Sequence, residues 1–175
     1  MIFDINNVYS GSYPIGGYVS GPVAGQALTA TTTLSTNCID HNPAQTPFGA
    51  NQNVQAGLGE VQAVLLQVTV APGDTSTTAS YKCNLVTDTA AALNTASLTV
   101  LASLSIPPTA VVGSTYVLVL PPSLNFLRFS GIQYVVATGS GTPGVATISV
   151  FATLMPVRFL ENWAPYQSGW TIQNQ

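Results

Sequence analysis

The sequence predicts an all-β protein: a single jelly-roll or β-sandwich body of about eight strands, with extended N- and C-terminal arms. Three observations predict it. Apolar and polar residues alternate with a period of two over several runs of strand length. Clusters of Gly, Pro, Ser and Asn separate those runs at regular intervals. The only stretch with helical leanings, DTAAALN at 88–94, is too short to stand as a helix and reads as a loop or a single turn.

Residues 1–25 read as an N-terminal arm. MIFDINNVY is either a short strand or part of the arm, and SGSYPIGGYVSGPVAG has loop composition. Tyr9, Tyr13 and Tyr18 recur along it. Either they cover the body of their own subunit, or they dock on a neighbour as rigid amphipathic anchors.

Residues 26–155 make the body. Gln26 to Asp40, rich in Thr, is expected to be its first strand. A long loop follows, HNPAQTPFGANQNVQAG, of the kind that often carries contacts. Glu60 to Ala71 is the clearest core strand, with Val64, Leu66, Val68 and Val70 on one face. Ser80 to Thr87 sets Tyr81, Cys83 and Leu85 on one face and Lys82 on the other. Ser97 to Ile106 and Ser114 to Leu120 are strands separated by Pro107-Pro108 and Gly113.

Leu124 to Leu154 then reads as a long hairpin forming the middle of a sheet. Ile132, Tyr134 and Val136 align in its first arm, with Ser130-Gly131 as a candidate bulge. Ala146, Ile148, Val150, Ala152 and Leu154 align in its second arm, and GSGTPG lets the chain reverse between them. Residues 156–175 form an aromatic tail without strand alternation. It holds Phe159, Trp163, Tyr166 and Trp170, and both tryptophans of the protein lie there. They either plug the end of the sandwich or act as a binding element, since Trp and Tyr are common interface anchors.

Charge narrows the partners. Only 5% of the 175 residues are Asp, Glu, Lys or Arg, and 46% are hydrophobic; ordinary soluble proteins carry roughly 25% charged residues. A free monomer with so few charges tends to associate, so much of the surface is expected to be covered in the working state. Lys82, Arg128 and Arg158 are the only strong bases. Three scattered cations neither neutralise a nucleic-acid backbone nor hold an anionic membrane surface. No apolar run reaches the ~18 residues of a membrane helix, and MIFDINN lacks the basic and apolar regions of a secretory leader. Neither nucleic acid nor membrane is therefore expected as a partner, and the chain is expected to work without export. In that compartment Cys38 and Cys83 are expected as free thiols, with a disulfide the alternative.

No catalytic, metal or cofactor set emerges. His41 is the single histidine, and no G-x-S-x-G accompanies it. Asp40-His41 reads as a turn. Cys38 and His41 supply half a zinc site at most. GPVAGQ lacks the Lys-Ser/Thr end of a phosphate-binding loop. The six acids are dispersed. We therefore expect a protein that is not an enzyme, without cofactor or metal. The candidate contacts with a neighbouring subunit or another partner are Tyr9, Tyr13, Tyr18, Phe159, Trp163, Tyr166 and Trp170.

Several stretches carry a family resemblance: QALTAT at 26–31 leading to STNCID at 35–40, LQVTVA at 66–71, SIP at 105–107, YVLVLPPSLNFLRFSGIQYVVATG at 116–139 and GVATISVFATL at 144–154. In these the chain resembles the small jelly-roll capsid cement, or decoration, proteins of tailed bacteriophages, of the type found in a short-tailed Bordetella phage. The resemblance implies a structural virion protein. It would form homotrimers on the outer capsid surface and clamp joints between subunits of the major capsid protein. The insert around 11–25 and the tail after 155 look longer than that family's body. The competing class is a carbohydrate-binding or adhesin jelly roll, in which exposed Trp and Tyr stack on sugars.

Overall fold

A computed structural model describes residues 8–12, 24–28, 31–41, 62–74, 78–120, 126–139 and 148–156. They form ten strands: β1 (Val8–Ser10), β2 (Gln26–Leu28), β3 (Thr31–Leu34), β4 (Ile39–Asp40), β5 (Gln62–Val70), β6 (Ser80–Asp88), β7 (Thr99–Ile106), β8 (Thr115–Leu120), β9 (Phe129–Ala137) and β10 (Ile148–Pro156). No helix occurs among the described residues.

The strands make two antiparallel sheets. The first runs β1–β10–β5–β8 with β2 also on β10; the second runs β3–β9–β6–β7 with β4 also on β9. The chain passes from sheet to sheet rather than finishing one before starting the other, which is the order of a jelly roll. The all-β jelly-roll sandwich expected from periodicity is the observed fold.

The core lies where the inward faces meet. Val64, Leu66 and Val68 of β5 and Ile148, Val150, Ala152 and Leu154 of β10 face Tyr81, Cys83 and Leu85 of β6 and Ile132, Tyr134 and Val136 of β9. These are the sets that the period of two picks out. Val70, grouped with the β5 core face, is exposed at the strand's end. Burying each such aliphatic side chain is worth roughly 1.5–3 kcal/mol.

Three expectations are corrected. The long hairpin does not form. β9 and β10 are both central strands, but β9 pairs with β3, β4 and β6, whereas β10 pairs with β1, β2 and β5. A turn-rich connection with flexible glycines serves a crossing between sheets as well as a reversal within one, so local composition does not separate the two. The single first strand at 26–40 is three short ones, because here too the chain changes sheet between β2 and β3. Gln26 secures that corner: its side-chain amide donates to the Leu34 carbonyl at 2.7 Å and its carbonyl accepts from Thr36 N–H at 3.0 Å.

Nor is there a bulge at Ser130-Gly131, since β6 and β9 pair without interruption from Asp88–Phe129 to Ser80–Ala137. Gly131 has another purpose. A Cβ there would lie 2.2 Å from Leu93 Cδ1, so the glycine leaves the space that Leu93 fills.

Leu93 reaches that position because Asp88 shapes the loop before it. Asp88, buried at the end of β6, accepts from Thr89 N–H at 2.6 Å, Ala90 N–H at 3.3 Å and Thr95 N–H at 3.0 Å. It also accepts from the hydroxyls of Thr95 and Ser97. Burial alone pushes the Asp88 carboxyl up, but these hydrogen bonds outweigh it and hold the group well below the usual carboxylate range. The loop so tied carries Leu93 at φ 52°, a left-handed conformation uncommon for a branched side chain.

Candidate functional site

One polar cluster lies where β1, β4 and β9 meet. Tyr9 sits fully buried on β1, and its hydroxyl is 2.9 Å from Ser130 Oγ on β9. His41, just past β4, places Nε2 at 2.7 Å from the same oxygen. Backbone pairing sets this geometry: Ile39 and Asp40 pair with Ser130 and Phe129, and His41 N–H donates to the Arg128 carbonyl at 2.7 Å. Phe126 packs its ring 4.7 Å from the imidazole. Outside the cluster, Arg128 grips Asp40 with Nε and one terminal nitrogen, each at 3.2 Å. Both partners are exposed, so this ion pair orients more than it stabilises.

The electrostatics favour neutral groups. Burial lowers the His41 pKa, and neighbouring Asp40 only partly opposes this. Burial also drives the Tyr9 phenol far above its ordinary value, against a smaller opposing effect of the Ser130 hydrogen bond. With His41 neutral and Nε2 accepting, the proton chain runs one way: Tyr9 O–H to Ser130 Oγ, then Ser130 O–H to His41.

Ser130 and His41 are at the separation of a nucleophile and its base. Ser130, however, exposes none of its surface and already bridges two partners. A nucleophile must reach a substrate atom and have oxyanion donors beside it. The arrangement is a tie between the two sheets.

The tie has a counterpart one turn of sequence away. Tyr134 of β9 donates to Ser10 Oγ of β1 at 2.6 Å. The loop after β3 holds the β1 backbone as well, through Asn37 N–H to the Tyr9 carbonyl at 2.9 Å. Of the two readings of Tyr9 as a candidate contact, covering its own body or docking on a neighbour, the structure shows the first: its ring packs in the core of its own chain. The segment expected as an arm contributes an edge strand at Val8–Ser10. Tyr13, Tyr18, Phe159, Trp163, Tyr166 and Trp170 lie outside the described residues.

Sequence reasoning missed the cluster because its members lie far apart in the chain and each reads alone as a turn or core residue. Cys38 and Cys83 are free thiols, as expected. Among the described residues no three of His, Cys, Asp and Glu gather as metal ligands, and no helix is long and apolar enough to cross a membrane.

Fold and composition together define a charge-poor jelly-roll sandwich in which buried tyrosine and serine hydroxyls tie strands of the two sheets. A family model agrees: residues 23–150, well over half of the chain, match that of Bbp16, a Bordetella phage protein family. The chain belongs to the Bbp16 family. No curated protein matches it.

Proposed function

We propose that this chain is a capsid cement protein. It binds the outer surface of a phage head as a homotrimer and spans joints between major capsid protein subunits. The observation that carries this reading is membership of a Bordetella phage protein family over most of the jelly-roll body. The charge content of 5% supports it, because such a surface suits a molecule that works covered by neighbours.

A cement protein needs no chemistry. It adds buried area across joints of the shell, where ordinary interfaces bury about 1,600 Å², and symmetric repetition multiplies a modest gain per joint. The carbohydrate-binding alternative calls for aromatic rings on an open strand face. Among the described residues the exposed large hydrophobic side chains are all valine.

The test is cosedimentation of purified protein with phage heads lacking it, after its solution mass has been measured by light scattering. A trimer that loads to a saturable stoichiometry is expected. A protein that leaves the heads bare at high concentration would overturn the reading.

A further inference from the structure

The outward face of the first sheet changes from covered to bare along two cross-strand rows. In one, Thr153 of β10 stands opposite Leu65 of β5, which stands opposite Val117 of β8. Their exposures are 1%, 2% and 37%. In the next, Ala63 of β5 stands opposite Val119 of β8, and exposure rises from 0% to 53%. The apolar surface thus continues from buried residues of β5 onto exposed residues of β8.

That point is also the rim of the sandwich. Among the described strands β8 pairs only with β5, and β7 only with β6. The two edges lie on the same flank and touch each other. Soluble proteins guard free edges with charged residues, proline or bulges. Neither strand carries a charge or a proline; β8 pairs with β5 in unbroken register, while β7 carries one irregularity against β6, where Leu85 and Val86 stand opposite Ala102 and Val100. From Thr89 to Leu127 the chain has no Asp, Glu, Lys, Arg or His at all. Val100, Val111, Val112, Val117 and Val119, all exposed, lie within that run.

We propose that the β7–β8 flank is the surface through which copies of this chain bind one another. This adds a location to the self-association proposed above and rests on that reading. The chemistry selects the occupant. Neither β7 nor β8 offers a counter-charge to a partner that buried a charge against them, the nearest being Lys82 of β6 opposite Ser105, so such a partner would bear most of the desolvation cost alone. Another copy of this chain brings an uncharged valine flank of its own, so neither side of the contact buries an unpaired charge.

The test is solution mass against concentration for the full chain, for Val117→Lys/Val119→Lys, and for Thr32→Lys, an exposed position on β3 far from this flank. Both valines are open to solvent, so circular dichroism and thermal unfolding of the double variant should match the parent. The parent and Thr32→Lys are expected to share one oligomeric mass. The double variant should dissociate at concentrations at least about a hundredfold higher, the effect of two uncompensated charges at a contact. A double variant that keeps the parent's mass overturns the proposed location and leaves the cement reading standing. A parent that is monomeric throughout overturns the location, and head loading then judges the cement reading separately.

Discussion

Tyr134 of β9 donates a 2.6 Å hydrogen bond to Ser10 of β1, joining the centre of one sheet to the edge of the other. Tyr9 of β1 returns the contact to Ser130 of β9 at 2.9 Å. Each strand thus gives the other one tyrosine and one serine. All four residues are fully buried, so neither hydroxyl pair has water as an alternative partner.

Removing one side of such a pair orphans the other. Tyr134→Phe should destabilise the protein by about 1–3 kcal/mol, the cost of leaving buried Ser10 without its donor. Adding Ser10→Ala should then cost little or recover part of the loss. Urea unfolding of both single variants and the double variant checks this, and simple additivity would refute it.

Gly131 and Leu93 should be coupled in the same manner. Gly131→Ala would set a methyl 2.2 Å from Leu93 Cδ1. Overpacking of this kind costs about 1–3 kcal/mol. Combined with Leu93→Ala, which empties the contested space, the double variant should lose less than the sum of the single losses.

Acid should destabilise the protein in two stages. His41 has a lowered pKa when folded, so between its ordinary value near 6.5 and that lower value the unfolded chain binds more protons. Stability therefore falls as pH drops below about 6.5. Protonation also turns His41 Nε2 into a donor, so the Ser130 O–H loses its acceptor on the imidazole. Asp88 follows: its folded pKa is depressed, so its contribution is present above its unfolded value near 4 and fades as pH falls further. Unfolding midpoints measured across this range should show both limbs. His41→Gln should lose the upper limb, and Asp88→Asn the lower, together with the order of the 89–97 loop.

The two thiols should differ sharply in reactivity. Cys83 is buried, and its pKa is pushed up to about 12 by desolvation. Cys38 is half-buried. At neutral pH a thiol reagent should modify Cys38 in the native protein and Cys83 only after unfolding. Labelling with peptide mapping, with and without denaturant, reads this directly.

The fold was legible wherever a strand buries one face. β9 shows it most plainly, with Ile132, Tyr134 and Val136 buried and Gln133 and Val135 half-buried between them; the inward rows of β5 and β6 read as well, although Ala63, Leu65, Asn84 and Val86 on their other faces are buried too. What alternation does not encode is which strands become neighbours. Phe151 and Thr153, on the face of β10 opposite Val150 and Ala152, are buried as well, so burial on that sheet goes beyond what its pattern announces. The Tyr9–Ser130–His41 cluster was illegible for a related reason. Its polar atoms converge only after β1 and β4 have been placed against β9, and no spacing within the chain records that meeting.

The separation of β9 from β10 also bears on how the chain reaches its native state. Among the described strands, only β6 and β7 are consecutive in the chain and paired with each other. Every other ladder joins segments that must find each other across long stretches of polypeptide, and loop closure costs entropy before any contact is made. Folding should therefore be slow for a chain of this size, on the order of milliseconds to seconds. The β6–β7 ribbon is the natural place for it to begin. A newly made chain would spend that interval with valine-rich edges unpaired, so the yield of native protein would depend on folding outpacing premature clumping.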